Sequence, residues 1–483
     1  MQLLVILRIL GLLLLVFSAS MLPPVVVDLI YQEHAGLPFI ESFFVMLLAG
    51  VLLFVPLRNH RRELRLRDGF MVVVMFWFVL GSIGGLPLYL SGIHQISITD
   101  AVFESISGLT TTGATVIVGL DQLPHAILFY RQQLQWLGGM GIIVLAVAVL
   151  PMLGIGGMQL YRAESPGPVK DTRLTPRITE TAKALWYIYL SLTVACGVAY
   201  WLAGMDAFDA ISHAFSTVAI GGFSTHDASM GYFKSPGIEL IAIVFMLLSG
   251  ANFALHFTAL RRKRLTPYWS DAEFRVYISV LVVVSLVTIA YLQLTKTFDS
   301  PIESIIEGLF QVVSIGTTTG FTTQAYHSWP GFLPVLLLYI SFMGGCAGST
   351  GGGIKVIRIL LLVKQGAREL QRLVHPAGQF AVKVNRKPVP DKVIEAVWGF
   401  FAAYFAISAL MILSLMATGL DQETAFSAVA ACLNNLGPGL GDVGQNFASI
   451  NDFAKWLLCL AMLLGRLEIF TLMVLFTPGF WRK

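Results

Sequence analysis

AVFESISGLTTTG, at residues 101–113, is the first of four segments that align without a gap and end on a glycine. The others are AISHAFSTVAIGG at 210–222, GLFQVVSIGTTTG at 308–320 and AFSAVAACLNNLG at 425–437. They recur about every 100 residues, and each lies between two long apolar stretches. A run of about a dozen residues is too short to cross a bilayer that is about 30 Å thick. We therefore expect each segment to enter the membrane from one side and to turn back at its glycine.

The composition is that of a membrane protein. Of the 483 residues, 56% are hydrophobic and only 12% are charged, whereas a soluble domain carries about 25% charged residues. Ten apolar stretches are long enough to cross a bilayer, and the first is read as a retained spanning helix. These stretches are centred at 3–22, 38–57, 70–90, 125–150, 184–204, 236–260, 276–295, 331–362, 393–417 and 453–477.

The basic residues predict the orientation of the chain. Most of the 32 lysines and arginines fall in alternate loops, at 58–67, 162–183, 261–275, 364–392 and 482–483. The loops at the opposite side hold only Lys234 and Lys296. Because loops rich in lysine and arginine stay in the cytoplasm, we expect both termini to be cytoplasmic. These basic runs could also bind nucleic acid or lipid headgroups, but they are read as determinants of topology, and no nucleic-acid partner is expected. The inner loops around 151–183, 261–275 and 364–392 are candidate docking surfaces.

The order of spans and loops predicts an internal repeat. Residues 1–69 form an amino-terminal hairpin without such a loop, and span, loop and span then follow four times, at 70–160, 183–264, 275–372 and 392–483. Parallel repeats in one chain favour a ring, and irregular backbone inside a membrane is tolerated where it lines a water-filled cavity. The predicted fold is an all-α polytopic membrane protein. Its hairpin is followed by four span–pore-loop–span repeats in a pseudo-fourfold arrangement around one central pore.

Acidic residues lie close to the start of each of the four segments. They are Asp100, Asp209, Glu303, Glu307, Asp421 and Glu423. At the start of a helix such residues stabilise the exposed N–H groups, and the partly negative end of the helix then points into the membrane. Ordinary capping and attraction of cations at the outer face are both consistent with this placement.

The glycine-tipped loops are the candidate ion site. Glycine permits the positive φ angle that turns successive carbonyl groups toward one axis, and rings of backbone carbonyls suit a large, weakly hydrated cation. No ring of carboxylates stands at these positions, which disfavours Ca²⁺ and Mg²⁺. The predicted filter consists of the glycine and the two residues before it in each loop: Thr111, Thr112, Gly113, Ile220, Gly221, Gly222, Thr318, Thr319, Gly320, Asn435, Leu436 and Gly437.

The eighth apolar stretch predicts a break and a gate. It is too long for one straight crossing at 1.5 Å per residue, and its middle, residues 344–353, reads GGCAGSTGGG, where helix propensity is low. Lys355 follows but is not succeeded by the Ser or Thr of a phosphate loop. Arg466 lies in the last apolar stretch, where a charge must face protein or water. The predicted movable barrier consists of Gly345, Gly348, Gly351, Gly352, Gly353, Lys355 and Arg466.

The motifs GLTTTGAT, AIGGFST, TTTGFTT and NNLGPGLGDVG, in this order, resemble the Trk/Ktr/HKT superfamily of potassium transporters, and within it the bacterial Trk-type subunits. The resemblance covers the whole chain and implies one filter glycine per quarter. It also implies K⁺ uptake across the bacterial inner membrane, a homodimer with one pore per subunit, and a gate at the Gly-rich stretch. A soluble cytoplasmic nucleotide-binding subunit of the TrkA type is the implied regulator. K⁺ is then the permeant ion, and no covalently bound cofactor is expected.

Three other functions remain open from the residues. The first is a Na⁺-permeable transporter, or a symporter coupled to protons or sodium, of the same fold. The second is a redox or enzymatic membrane subunit, although the nine histidines form no same-helix pair suited to haem and no HExxH or GxSxG motif occurs. The third is a scaffold that does not transport. We expect a transporter and not an enzyme.

Overall fold

The computed structural model describes residues 2–60, 65–149 and 178–482, and these residues are almost wholly α-helical. Within them, strands occur at Lys383–Val384 and Lys387–Pro388, which pair as a short antiparallel hairpin. The helical class predicted from the sequence is therefore confirmed. The end of the first predicted repeat, at 160, and most of the basic loop at 162–183 lie outside the described residues.

The amino-terminal hairpin is formed by close packing of two apolar helices. The first runs from Leu3 to Ser18 and continues through a 3₁₀ turn into Leu22–Tyr31, and the second is Leu37–Leu57. Their contact is made at two glycines, because a Cβ added at Gly50 would lie 2.9 Å from the carbonyl oxygen of Gly11. Larger residues here would push the helices apart.

Six helical stretches of the described residues are long and apolar enough to cross a membrane. They are Leu3–Tyr31, Leu37–Leu57, Arg67–Leu90, Lys183–Leu202, Ala272–Leu294 and Asp391–Met416. The last four lie at the start of the four predicted repeats. They belong to the helices Leu66–Ile83 with Leu86–Leu90, Ile178–Leu202, Ala272–Leu294 and Asp391–Met416.

Each of the four aligned segments forms a short helix, here called the first to fourth half-helix. They are Ile98–Leu109, Ala207–Ala219, Pro301–Gly316 and Gln422–Leu433. The longest has 16 residues, which at 1.5 Å per residue is too short to cross the apolar core of a bilayer. The prediction of short, re-entering segments agrees with these lengths.

The helices that close the repeats are less regular than the sequence suggests. The first is His125–Val149. In the second, Pro236–Gly250 meets Phe253–Arg262 at 96°, and in the fourth Asp452–Arg466 meets Phe470–Phe476 at 107°. The predicted spans at 236–260 and 453–477 are therefore each two helices. Further short helices are Thr266–Ser270, Phe470–Met473 and Pro478–Trp481.

The causes of the two bends are local. At the first, the side chain of Asn252 accepts a hydrogen bond from the N–H of Ala254 at 2.8 Å and so starts a new helix. At the second, Glu468 and Ile469 have φ angles of 54° and 56°, which no right-handed helix accommodates. Arg466 thus ends a helix, whereas the sequence predicts that it lies within the last span.

The third closing helix is broken as predicted. Leu333–Met343 ends at Gly344, which has a φ of 64°, and the chain becomes helical again only at Val356–Val374. Residues 344–355, here called the Gly-rich segment, connect the two helices without forming a helix or a strand.

Candidate functional site

Side-chain caps fix the ends of the half-helices that lie away from the aligned glycines, and we call this the outer side. The caps are Ser97, Asp206, Ser300 and Asp421, each accepting a hydrogen bond from a backbone N–H of the first turn. Of the acidic residues singled out in the sequence, Asp421 is itself a cap. Asp100, Asp209, Glu303 and Glu423 lie in the first turns, and Glu307 lies further along its helix.

The inner ends of the four half-helices share one backbone motif. The residue two before each aligned glycine is left-handed, with φ angles of 55°, 54°, 68° and 53° at Thr111, Ile220, Thr318 and Asn435. The next N–H in each loop donates to the carbonyl five residues back at 2.8 Å, as from Thr112 to Ser107. This is a Schellman turn, repeated in all four quarters. We call the four residues that end on each glycine the tips: 110–113, 219–222, 317–320 and 434–437.

The four tips form a closed ring. The aligned glycines Gly113, Gly222, Gly320 and Gly437 have φ angles of 82°, 79°, 84° and 100°. A Cβ added to any of these glycines would meet the carbonyl oxygen of the residue that precedes the next aligned glycine. The pairs are Gly113 with Gly221, Gly222 with Thr319, Gly320 with Leu436, and Gly437 with Thr112. The fourth contact returns to the first quarter. All four predicted glycines are therefore neighbours, with main-chain oxygens between them.

The remaining predicted tip residues are also buried in this ring. Thr111, Thr112, Ile220, Thr318, Thr319, Asn435 and Leu436 are each at most 1% exposed. The side chain of Asn435 donates to the hydroxyl of Thr112 at 2.9 Å, which links the fourth tip to the first. Gln135 donates to the carbonyl of Gly221 at 2.6 Å and accepts from the N–H of Phe223 at 3.0 Å.

A buried ion pair supports the chain that leaves the first tip. Glu104 and Arg131 are 0% and 1% exposed, and Arg131 Nε lies 2.8 Å from Glu104 Oε1. Glu104 also accepts from the N–H of Val116 at 2.9 Å. Arg131 donates to the carbonyl of Ser224 at 3.0 Å, and its guanidinium lies over the ring of Phe223. The pair therefore fixes the first loop and joins it to the second.

Equivalent supports exist in the other loops, with different chemistry. In the second loop, His213 Nε2 lies 2.9 Å from the hydroxyl of Ser224. In the third, Ser314 donates to the carbonyl of Phe321 at 2.7 Å. In the fourth, Ser427 accepts from the N–H of Leu440 at 2.9 Å. Each half-helix thus holds the chain that returns from its own tip.

On the outer side, His226 links the first two quarters. Its Nδ1 lies 2.5 Å from Asp121 in the first loop, and its Nε2 lies 3.0 Å from Asp209 in the second half-helix. The ring of Tyr232 stacks on it. Burial lowers the pKa of His226, but the hydrogen bonds to Asp209 and Asp121 raise it, and the net shift is upward. We call His226, Asp121 and Asp209 the outer clasp.

Two further contacts join neighbouring quarters on the outer side. Lys455, at the start of the helix Asp452–Arg466, lies 2.7 Å from Asp100 of the first half-helix. The hydroxyl of Tyr326 donates to the carbonyl of Gly439 at 2.9 Å and so connects the third loop with the fourth. Asp100 is therefore paired with a lysine rather than left to attract cations alone.

The Gly-rich segment contacts three of the tips or the ends of their half-helices. The N–H of Gly352 donates to the hydroxyl of Thr318 at 2.7 Å, and that of Gly353 to the carbonyl of Asn434 at 2.9 Å. Thr350 donates to the carbonyl of Val218 at 3.0 Å. These bonds reach the third, fourth and second quarters.

The predicted gate glycines lie where side chains do not fit. A Cβ at Gly351 would approach the carbonyl of Thr317 to 2.9 Å, and one at Gly345 the hydroxyl of Ser349 to 2.6 Å. Gly348 and Gly353 have positive φ angles, and a Cβ at Gly352 would meet the carbonyl of Asn434. Lys355 is buried, and its Nζ donates to the carbonyl of Gly351.

Arg466 connects the Gly-rich segment with the first quarter. Its guanidinium donates to the hydroxyl of Thr111 at 3.2 Å, to the carbonyl of Thr350 at 3.1 Å and to that of Gly138 at 2.5 Å. It therefore bridges the first tip and the Gly-rich segment. Glu468, two residues later, pairs with Arg358.

Several residues of the site were not predicted, among them Glu104, Arg131 and Gln135. Glu104 lies among largely apolar residues of the first half-helix. The polar run RQQLQ, at 131–135, lies inside an apolar stretch. Polar residues at membrane depth are a signal of function or pairing. This signal could have identified the residues, although not their partners.

The comparisons with known proteins agree with one family over the full chain. The family model described as "TrkH: Cation transport protein" matches residues 36–483. The "Trk system potassium uptake protein TrkH" of Vibrio parahaemolyticus is 62% identical over 480 residues, covering 99% of each chain. The protein of the same name from Escherichia coli K12 is 58% identical over 476 residues, again covering 99% of each.

A solved structure is similar over its entire length. It is titled "Crystal Structure of the Potassium Transporter TrkH from Vibrio parahaemolyticus", and it matches with a TM-score of 0.91 and 59% identity, covering 100% of both chains. The likeness includes the helical fold described above. This chain therefore belongs to the TrkH family of cation transport proteins, and it is a multi-pass membrane transporter rather than an enzyme.

Proposed function

We propose that this protein takes up potassium ions through a selectivity filter made by the four tips. The observation that carries the proposal is the ring in which each aligned glycine meets a main-chain oxygen of the next quarter. Such oxygens can replace the hydration shell of K⁺. The names of the relatives, potassium uptake proteins, support the same ion. The proposed ligand oxygens belong to Thr111, Thr112, Ile220, Gly221, Thr318, Thr319, Asn435 and Leu436.

The half-helices support a cation at this place. Each ends at a tip, and the carbonyl end of a helix carries a partial negative charge. The ring is chemically unequal, because threonine pairs occur in the first and third tips only, and the Gly221 carbonyl already accepts a bond from Gln135. We therefore expect looser discrimination against Rb⁺ and Na⁺ than a ring of four identical loops would give.

The Gly-rich segment and Arg466 are proposed as the gate. Together they contact all four quarters directly beside the tips. A fixed guanidinium there repels a cation that leaves the filter. Displacement of the segment would open the path, and glycine makes such a displacement possible because its backbone has little conformational preference.

Ion identity is tested by recording reversal potentials with the purified protein in a planar bilayer under K⁺ and Na⁺ gradients. We expect the reversal potential to follow the K⁺ gradient. A reversal potential that follows Na⁺ would favour the sodium-permeable alternative. One that shifts with a gradient of protons would favour coupled symport.

The gate is tested by ⁸⁶Rb⁺ uptake into proteoliposomes that contain no regulatory partner. Arg466→Gln removes the charge, and deletion of residues 351–353 removes three glycines that contact the tips. Each change should raise the unregulated flux severalfold above that of the parent. Unchanged flux in both variants would overturn the gate assignment while leaving the filter proposal in place.

The arrangement in the cell is also proposed. The chain would lie in the bacterial inner membrane with both termini cytoplasmic, as a homodimer with one pore per subunit and with residues 1–69 outside the four repeats. The basic loops at 261–275 and 364–392 support this orientation and would face a soluble nucleotide-binding subunit of the TrkA type. Accessibility of cysteines introduced in these loops to a membrane-impermeant reagent tests the orientation. Cross-linking of the purified protein tests the dimer.

A further inference from the structure

One buried carboxylate contacts the backbone at both ends of the stretch that includes residues 350–353, the part of the Gly-rich segment that contacts the tips. Glu273 lies in the first turn of Ala272–Leu294 and is 7% exposed. Its Oε1 accepts the N–H of Ala347 at 2.7 Å and the N–H of Ile357 at 3.1 Å. Ala347 precedes the residues of the segment that contact the tips, and Ile357 follows them. A single oxygen atom therefore ties both ends to the opening span of the third quarter.

The bond to Ile357 supplies a helix cap that the sequence does not supply locally. Ile357 is the second residue of Val356–Val374, and Lys355, at the N-cap position, makes no side-chain cap. The first N–H groups of a helix have no intrahelical partner, and a carboxylate there is stabilised by the helix dipole. Because Glu273 comes from another helix, Val356–Val374 can shift only if it gives up this cap.

We propose that Glu273 is a positioning residue that holds the gate closed by bridging Ala347 and Ile357. This inference rests on the proposed function of the Gly-rich segment. The glycines of that segment allow its backbone to take many conformations. Its position is therefore determined by the hydrogen bonds that it forms with residues outside the segment. The bonds to the tips hold its middle, and Glu273 holds the two points from which it would be moved.

The test compares three substitutions at this position by ⁸⁶Rb⁺ uptake into proteoliposomes without regulatory partner. Glu273→Asp keeps the charge but is one methylene shorter, so that one oxygen no longer reaches both N–H groups. Glu273→Gln keeps the length and one acceptor oxygen. We expect about tenfold higher flux for Asp and for Ala, the scale of losing one charge-assisted hydrogen bond, and at most about twofold higher flux for Gln.

The control is Glu395→Ala, which removes an exposed glutamate of Asp391–Met416 and should leave the flux unchanged. Hydrogen exchange at residues 344–357 is a second readout in every variant that folds, and it should be faster at Ala347 and Ile357 in the Asp and Ala variants. Parent-like flux and exchange in these variants would overturn the inference, as would equal flux in the Gln and Asp variants.

The gate variants described above separate the two proposals. If deletion of residues 351–353 or Arg466→Gln raises the flux and the Asp and Ala variants of Glu273 do not, the role of Glu273 is wrong and the gate stands. If none of these variants raises it, the gate is wrong and the inference falls with it.

Discussion

At the end of each half-helix a residue other than glycine adopts a left-handed conformation. Thr111, Ile220 and Thr318 are β-branched, and such residues disfavour positive φ by about 1–2 kcal/mol each. The strain is held by the Schellman turn and by the contacts of the ring. This conformation costs free energy, and yet it recurs in all four loops. We infer that the local structure serves to fix the direction of the carbonyl groups.

The aligned glycines are expected to tolerate no side chain. Gly320→Ala should abolish K⁺ uptake, because the φ of 84° disfavours alanine and the new Cβ would meet the carbonyl of Leu436. Gly366→Ala is the matched control, since its Cβ would meet nothing within 4 Å inside a helix. It should keep uptake and stabilise the protein by up to about 1 kcal/mol. Growth at low K⁺ and thermal unfolding measure both effects, and normal uptake by Gly320→Ala would refute the expectation.

At this scale the sequence predicts the glycines but not their supports. Gly113, Gly222, Gly320 and Gly437 stand out because they recur at one position of an aligned segment. The residues two positions earlier are threonine in the first and third loops, isoleucine in the second and asparagine in the fourth, so that the sequence predicts their place in the tips but not their left-handed conformation. Glu104 and Arg131 are 27 positions apart, and only the fold brings them together.

Among the elements, the half-helices are held by their two ends. Each half-helix begins at a side-chain cap on the outer side and ends in a Schellman turn at its tip. A side chain of the half-helix also forms a hydrogen bond with the chain that follows the tip. The outer clasp adds a charged contact between the first two quarters. His226 is positioned there between two carboxylates, which favour its protonated form.

The outer clasp should make stability depend on pH. The pKa of His226 is raised in the folded protein, so the stabilisation is fully present below the ordinary histidine value of about 6.5 and is lost as the pH rises through the folded pKa. The unfolding temperature of the parent should therefore fall more steeply above about pH 6.5 than that of His226→Gln. His375→Gln, at an exposed position, should keep the slope of the parent. Parallel curves for parent and His226→Gln would contradict the role of the clasp.

Prediction of the elements succeeded where the sequence contains a strong signal. The glycine run at 344–353 marked its break, and the lengths of the aligned segments marked the half-helices. The bends after Gly250 and Arg466 were missed, because each depends on a few residues in an apolar stretch that satisfies the criteria for one span. Asn252 acts as a cap only after the chain has turned, and the positive φ angles of Glu468 and Ile469 have no composition signal.

Across the whole molecule, the chain closes a ring from four unequal quarters. The contacts run in sequence order from the first tip to the fourth and return to the first. The chain of the amino-terminal hairpin contacts the first quarter, where Glu33 lies 2.7 Å from His125 and Tyr31 stacks on the imidazole of His125 at 3.8 Å. The spacing of the repeats predicts a ring. The bonds that join each pair of quarters differ from one another and follow from the fold, so that no sequence pattern predicts them.

The buried pair of Glu104 and Arg131 is expected to hold two quarters together. Arg131→Met leaves Glu104 without its cation and should lower the free energy of unfolding by about 3–5 kcal/mol. Adding Glu104→Gln should recover part of this loss. Arg372→Met breaks a half-exposed pair with Glu369 and should cost at most about 1 kcal/mol. Denaturant unfolding in detergent compares them, and equal losses for Arg131→Met and Arg372→Met would argue against the link.

That every glycine of the ring faces an oxygen of a different quarter has an evolutionary consequence. In an assembly of identical subunits one codon change alters such a ring at four symmetric places, whereas in this gene it alters one. Each quarter of the ring can therefore diverge by itself, provided that its neighbour still offers a main-chain oxygen to its glycine. The mixture of threonine, isoleucine and asparagine around the axis is what such independent drift would leave behind.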